Sequence, residues 1–410
     1  MFNAPSRLRV LVVGAGVGGI SIARGLLRSG HDVVVFERRP EVTPGGGAVT
    51  IWSNGATVLG QLGVDIDGAG QRLSTVRVTT ATGRPLTTVD LTTIADRLGE
   101  PVRMVPRRVL LHRLLDGFPI ERIRCNSRAV GFVATRNGVL VEFDDGRSAE
   151  GDLLIGADGL HSRVRSLVGA APAEPTGWCS WQGLVTLPDF AAKADENVAL
   201  MMIGEHGNLG LWPAGDAALQ WWFDLPWSPD YVRPRRPLEM LRSHFGGWSE
   251  LADGVLMTLT DEDLAGSPFP HFRHPIPGPG RAAVTLLGDA AHTMPPTLAQ
   301  GTNQALLDTM VLCKAISDFT KCRDHNRGEL SSALRWYEKT RRRQVQAVSW
   351  VTTQQVSRSE TALKPAAMIS DRIMTRALAL FLRSVSHSRI SSEISRDSAD
   401  DTAGRLIDRR

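Results

Sequence analysis

Short runs of leucine and β-branched residues, several of them closed by glycine, alternate along this chain with stretches whose apolar positions recur every three or four residues. Leu8 to Val13 reads Leu-Arg-Val-Leu-Val-Val, which suits a strand buried within a parallel sheet. A helix is predicted from Gly18 to Ser29, closed by Gly30, and a second apolar strand from His31 to Phe36. The strand-then-helix text returns at Gly151 to Arg165 and again at Ala282 to His292. Leu209 to Pro213 and Leu219 to Leu225 read as sheet strands, while Asn303 to Phe319, Leu330 to Trp350 and Thr361 to Val385 read as helices. This alternation predicts an α/β fold.

The turn after the first strand reads Gly14-Ala-Gly16-Val-Gly18-Gly19. Gly14 permits the tight turn, Gly16 lets the backbone approach a pyrophosphate, and Gly19 lets the following helix pack closely on the sheet. Phosphates then meet unpaired N–H groups at a helix N-terminus. Glu37 stands 23 residues beyond Gly14, with Arg38 beside it. An acid there accepts hydrogen bonds from a ribose diol and repels a 2′-phosphate, which predicts an unphosphorylated adenosine. The glycine fingerprint alone leaves NAD and FAD both open.

Two later signatures favour FAD, because three distant segments can grip one elongated dinucleotide from end to end. Gly156-Ala-Asp158-Gly159 places an acid between a strand and a basic helix start, where it can cap the helix as well as meet a cofactor polar group. Gly288-Asp289 precedes Ala290-Ala291-His292, and Asp289 is placed to bind a ribityl hydroxyl. Pro295 and Pro296 fix the chain direction before Gln300-Gly301-Thr302-Asn303 opens a long helix, whose N-terminus would stabilise negative charge on a reduced flavin. Gly45-Gly46-Gly47-Ala48 suits a mobile backbone stretch beside the isoalloxazine, or an ordinary flexible turn.

In these motifs the chain resembles the p-hydroxybenzoate-hydroxylase-like, single-component FAD-dependent monooxygenases over about the first 350 residues. Gly14, Gly16, Gly19 and Glu37 match that family's nucleotide fingerprint, Asp158 its DG motif and Asp289 its GD motif. Arg108 aligns with the family arginine that reaches FAD, with the adjacent Arg107 as a one-residue alternative. Text around Trp52, Trp181, Phe223 and Phe245 is most similar to the urate hydroxylase and zeaxanthin epoxidase subgroup. Urate is nevertheless not expected as substrate: where that chemistry uses an Asp, an Arg and a Tyr, this chain has Thr297 and roughly Asn208 and Gln220.

The resemblance implies a Rossmann-like FAD-binding domain of the GR2 type, a β-sheet-rich substrate domain and C-terminal helices. The FAD-binding domain is expected to be discontinuous (1–70, 98–173 and 280–356), with 71–97 and 174–279 forming the substrate domain and 357–410 a C-terminal helix and polar tail. The resemblance also implies a cycle in which NADPH or NADH reduces the flavin, O2 adds at C4a and the hydroperoxide passes one oxygen atom to the substrate. Trp181, Met201, Leu211, Trp212, Gln220 and Trp222 are the candidate substrate contacts, pointing to an apolar or aromatic small molecule, plausible in natural-product biosynthesis. No carboxylate or histidine in this lobe stands out by spacing as a base for a phenol, so epoxidation of an alkene stays open. A flavin oxidase or dehydrogenase also stays open, as does a non-catalytic FAD-keeping protein. Catalysis is assigned to the flavin, with Pro295 and Pro296 facing it. His292 reads as structural, a catalytic role being the alternative.

Composition excludes other classes. With 42% hydrophobic and 22% charged residues in 410, the chain can bury a large core. A net charge of +4 without a basic tract argues against nucleic-acid binding. No apolar run approaches the roughly 20 residues that cross a bilayer, and a cytoplasmic location is expected. Cys125, Cys179, Cys313 and Cys322 lack metal or disulfide spacing, so no metal is expected. A monomer or homodimer is expected.

Overall fold

The computed structural model describes residues 7–135, 138–187, 197–278, 280, 283–321, 327–356 and 369–395. Its first lobe is built on a five-stranded sheet in the order β18 (Val284–Leu286), β12 (Leu153–Gly156), β1 (Arg9–Val13), β2 (Asp32–Phe36), β8 (Ile123–Arg124), parallel throughout. The continuous apolar text of β1 follows from burial on both faces. Val10 and Val12 join a core with helices α1 (Val17–Arg28) and α9 (Gly301–Lys321), while Leu11 and Val13 pack on an antiparallel sheet of β9 (Ala129–Thr135), β10 (Gly138–Phe143) and β11 (Ser148–Gly151). Helix α1 turns Gly19, Ile20, Ile22, Ala23 and Leu26 inward, a stripe at helical spacing, and ends where Gly30 takes a φ of 86°. Helix α10 (Arg327–Val356) packs along α9.

The second lobe is a seven-stranded sheet in the order β17 (Phe269–Arg273), β13 (Glu174–Thr186), β16 (Ala218–Pro226), β15 (Asn208–Gly215), β14 (Val198–Ile203), β5 (Thr75–Thr80), β6 (Pro85–Asp90). Residues 71–97 therefore supply two of its strands, and β5 pairs parallel to β14. One face of this sheet is covered by α6 (Pro237–Phe245) and α7 (Glu250–Thr258), whose Leu238, Leu241, Phe245 and Val255 pack on Cys179, Trp181, Leu211, Trp221 and Phe223. The other face rests on a small sheet of β3 (Ala48–Ile51), β7 (Arg103–Pro106) and β4 (Gln71–Arg72): Trp212 and Ala199 share a core with Ala48, Trp52 and Met104.

Helix α2 (Ser53–Gln61) follows β3, α3 (Leu91–Leu98) follows β6, α4 (Arg107–Leu115) follows β7, and the short α5 (Arg163–Leu167) and α8 (Asp289–His292) follow β12 and β18. Helix α11 (Asp371–Ser384) packs on β6 and α3, burying Ala379 and Leu382. The start of the helical segment expected at 361–385, and residues 396–410 of the polar tail, lie outside the described residues. Up to residue 395 the expected tail is instead helical: Ile390 and Ile394 pack on the α1/α9 core, and Gln61 Nε2 donates to the Ser391 carbonyl at 3.1 Å. Apolar residues four apart gave that short piece a face to bury, which its overall polarity concealed.

Candidate cofactor and substrate site

The loops after β1, β12 and β18 meet at one edge of the parallel sheet. Gly14, at φ 106°, lies so close to the next loop that a Cβ would stand 2.4 Å from the Ala157 carbonyl oxygen. A Cβ on Gly18 would stand 2.7 Å from a Leu287 methyl, and one on Gly19 only 1.9 Å from the Gly14 oxygen. Gly14 and Gly19 are demanded by packing against backbone, whereas Gly18 meets the end of a side chain. Gly16 is different, because a Cβ there meets nothing within 4 Å. It opens the N-terminus of α1, which has neither a side-chain cap nor an acid in its first turn, so its free N–H groups face open space as an anion site requires.

Glu37 reaches back to this loop, its Oε2 accepting the Ala15 N–H at 2.9 Å and its Oε1 that of Arg39 at 3.0 Å. Arg38 is exposed beside it. Asp158 is engaged by the helix that follows: Ser162 donates to Oδ1, and the N–H groups of Arg163 (2.7 Å) and Val164 (3.2 Å) to Oδ2. It fastens the start of α5 while its Cα abuts Gly14.

Asp289 and Arg107 share an environment that sets them apart. Both keep solvent-accessible surface, yet surrounding protein shifts both: desolvation raises the Asp289 pKa and lowers that of Arg107, and the attraction between the two opposes each shift. Accessible surface with strong desolvation describes side chains on the floor of a cleft. Arg107, the first residue of α4, donates its N–H to the Gly47 carbonyl at 3.0 Å, and its side chain runs past Gly45. Arg108 is exposed, and the helix start directs Arg107 rather than Arg108 at Asp289.

The glycine stretch forms the opposite rim. A Cβ on Gly46 meets nothing within 4 Å, and Gly47 adopts a φ of 79° against Gln220, whose Oε1 accepts the Ala48 N–H at 2.6 Å. Pro295 is buried, Pro296 opens a 3-10 turn, and Gly301 and Thr302 start α9 without an acid in the first turn. Asp289 Oδ1 lies 3.9 Å from where a Gly301 Cβ would stand. Asn303 anchors this helix, accepting the Trp52 N–H and donating to the Thr50 carbonyl, both at 2.9 Å.

His292 faces away from the cleft. Its Nε2 lies 2.6 Å from Asp308 Oδ2, which also accepts the Gly288 N–H at 2.8 Å, while Arg341 Nε donates to Oδ1 at 2.6 Å. Burial alone would raise the Asp308 pKa, but His292 and Arg341 hold it at about 2, so the carboxylate is ionised and fixes the turn that carries Asp289. A cavity of about 280 Å³ lies behind this network, lined by His292, Asp308, Tyr337 and Arg341, and Asp289 does not line it. Sequence reasoning missed both partners of the turn: nothing in its spacing marks Asp308, and Arg341 reads with Arg342 and Arg343 as a solvated basic face, whereas the fold buries it against Asp308.

The six candidate substrate contacts divide by strand alternation. Gln220 and Trp222 on β16, Trp212 on β15 and Met201 on β14 lie on the face that meets β3. Trp181 and Leu211 do not: each is 0% exposed and packs beneath α6 and α7. They are core residues of the opposite face, because neighbouring positions on a strand point to opposite sides.

Residues 7–351 match a family model described as the FAD binding domain. The chain belongs to that family. It is 31% identical over 341 residues to the FAD-dependent urate hydroxylase of Klebsiella pneumoniae, covering 82% of this chain and 86% of the relative. It is 30% identical over 363 residues to a 3-amino-4-hydroxybenzoate 2-monooxygenase of Streptomyces platensis, covering 84% and 86%. The crystal structure of Klebsiella pneumoniae HpxO complexed with FAD and uric acid superimposes with a TM-score of 0.81 at 26% identity, covering 93% of this chain and 99% of that one. The protein is an FAD-dependent monooxygenase. Its residues fit the cofactor: an uncapped helix end at an open Gly16, a carboxylate after β2, and an acid and an arginine on the floor of one cleft.

Proposed function

We propose that this enzyme hydroxylates a neutral aromatic or polycyclic small molecule at the expense of NADPH or NADH. One observation carries the reading. The sheet face beside the glycine rim presents Trp212, Trp222, Met201, Asn208 and Gln220, and the described strand residues of β13 to β16 on that face include no lysine or arginine, while Arg273 at the far end of β17 is ion-paired to Glu174 at 3.0 Å. An anionic group set against the tryptophans of that wall would meet neutral side chains there, at a cost on the order of several kcal/mol for a buried unpaired ion, since Arg107 in the cleft is already matched by Asp289. A flat apolar molecule would gain from the same wall. Asn208 and Gln220, standing roughly where urate chemistry uses an Arg and a Tyr, also disfavour urate.

FAD, when bound, supplies the redox chemistry that activates dioxygen. The chain's tasks are positional. Gly16 and the α1 N-terminus would hold the pyrophosphate, Glu37 the adenosine ribose, and Asp289 and Arg107 the cleft floor. Gln220 fixes the backbone at Ala48, and the tryptophan wall excludes water and orients the substrate.

The reading is tested by incubating FAD-loaded protein with NADPH or NADH, 18O2 and a panel of neutral polycyclic aromatics. The expected product carries one labelled oxygen atom, formed as nicotinamide is oxidised. Bleaching of the flavin by substrate alone, without oxygen incorporation, would replace this reading with an oxidase.

A further inference from the structure

A glycine lies within β15 on the face that meets the glycine rim. Gly210 pairs in register with Trp222 of β16 on one side and with Met201 of β14 on the other. A glycine inside a central strand forgoes side-chain packing and marks a place where another group approaches the backbone. Here that group is the Trp222 indole. A Cβ on Gly210 would stand 1.9, 2.2 and 2.3 Å from Cζ2, Cε2 and Cη2 of the ring. Cζ2 is bonded to the other two, so distances this nearly equal mean that the Cβ direction, which stands out of the sheet, meets the face of the indole and not its edge. Trp222 therefore lies flat across Gly210, and the other face of its ring points away from the sheet.

The opposite side of the sheet shows such a pairing in a purely structural setting. Gly183 of β13 pairs with Trp221, whose Cζ2 lies 2.9 Å from where a Gly183 Cβ would stand, and α6 and α7 close over that ring, so Trp221 is 0% exposed. Trp222 is only half-buried although Gly210 closes its inner face. It stands two residues along β16 from Gln220, which holds the Ala48 N–H at the cofactor rim, a step of roughly 7 Å. The Trp212 ring lies 5.6 Å away at 52°, so the two indoles form an open angle. Gln182, Met201 and Val78, in register with Trp222 across β13, β14 and β5, are uncharged.

We propose that Gly210 is a specificity-determining residue: having no Cβ, it lets Trp222 lie flat on the sheet, and the outer face of that indole is the platform on which a planar fused aromatic ring stacks. The inference rests on the aromatic-hydroxylation reading above and narrows its substrate class to planar fused rings over puckered, saturated ones of the same skeleton. An aromatic ring offset-stacked on an indole gains about two- to tenfold in affinity beyond the area it buries. A puckered ring system is thicker and has no π face, so it gains nothing of this kind. Carbon atoms in contact stand about 3.5–4.0 Å apart. From a separation of 1.9 Å, a Cβ at position 210 would therefore drive the indole roughly 2 Å off the sheet and into the space the stacked ring needs.

The test uses FAD-loaded protein with 2-naphthalenemethanol and decahydro-2-naphthalenemethanol, which share a carbon skeleton and a neutral hydroxyl and differ in planarity, titrated by calorimetry. The saturated probe has the larger apolar surface, so burial alone would favour it. Wild type is expected to bind the planar probe about three- to tenfold more tightly. Trp222→Leu should abolish that preference, Trp222→Phe should keep part of it, and Gly210→Ala should weaken the planar probe by about tenfold. Added to Trp222→Leu, Gly210→Ala should have no further effect, because the ring it displaces is gone. Unchanged FAD content and circular dichroism would show the variants folded, and if Gly210→Ala alone does not fold, the double variant, freed of the clash, is compared with Trp222→Leu. A planar preference that survives in Trp222→Leu, a loss from Gly210→Ala that is as large in the Trp222→Leu background, equal or inverted affinity of wild type for the two probes, or binding of neither probe while FAD remains bound overturns the proposal. If the preference follows Trp222 yet no aromatic is oxygenated, the functional reading fails and the stacking platform stands.

Discussion

Asn303 holds Trp52, 251 positions earlier in the chain, through one side-chain amide: Oδ1 accepts the Trp52 N–H while Nδ2 donates to the Thr50 carbonyl. The bond fixes the start of α9 against the end of β3, and with it the distance between two walls of the cofactor cleft. Both backbone groups are buried, so removing the amide leaves them unsatisfied. Asn303→Ala should cost about 2–4 kcal/mol of stability and lower flavin retention together with it. A variant that keeps wild-type urea midpoint and full flavin occupancy would contradict this.

The glycines of the first turn should separate folding from binding. Gly19→Ala drives a Cβ into the Gly14 carbonyl and is expected to prevent soluble folding. Gly16→Ala meets no protein atom, so the apoprotein should fold normally while FAD binds roughly tenfold or more weakly, because the pyrophosphate is kept from the helix end. Apoprotein melting and flavin titration measure the two halves independently.

Arg107 and Arg108 are neighbours with different surroundings. Arg107→Met should weaken FAD binding and raise the pKa of Asp289 further, by removing a cation that, with His292, opposes its desolvation. Arg108→Met should leave flavin affinity within about twofold of wild type, as exposed substitutions do. The reverse order of effects, read by flavin fluorescence on dilution, would reassign the cleft arginine.

Stability should fall on acidification below about pH 6.5. Desolvation holds His271, His274 and His387 near 4 in the folded state, against an ordinary 6.5. Between these values the unfolded chain binds more protons, so stability rises with pH and is lost as pH drops through the window. Asp224 acts oppositely: raised from 3.8 to about 7, it keeps a proton the unfolded chain releases, and its contribution falls as pH rises from 4 to 7. His274→Gln should therefore flatten the acid limb, and Asp224→Asn should gain on wild type as pH approaches 7. Melting temperatures from pH 4.5 to 7.5 that shift in parallel for all three proteins would refute both assignments.

The β1–α1–β2 unit was legible in the sequence because every interaction that defines it is local. The glycines, the helix and Glu37 occur in one stretch whose order alone sets their geometry. Two neighbouring strands of the second lobe, around 209–213 and 219–225, were legible for the same reason, and the family likeness implied the β-sheet-rich domain around them. Alternation placed Trp222 on a strand, but it reads the same whichever face a helix later covers, and Trp181 was named as a contact with no strand read around it. Only α6 and α7, which begin 56 and 69 residues after Trp181, assign Trp181 to the core and leave Trp222 on the other side. The choice between Arg107 and Arg108 likewise waited on where α4 begins.

What the sequence by itself determined, then, was the parallel sheet, the dinucleotide grip and the cofactor's class, each written in contiguous turns whose backbone requirements admit few residues. What tertiary structure decided was the chemistry of the far wall. Ser180, Asp224 and His271 are separated by 44 and 47 residues and come from three strands. No local pattern marks them, because a buried polar cluster is made by burial and by neighbours across a sheet, and both exist only once the chain has folded.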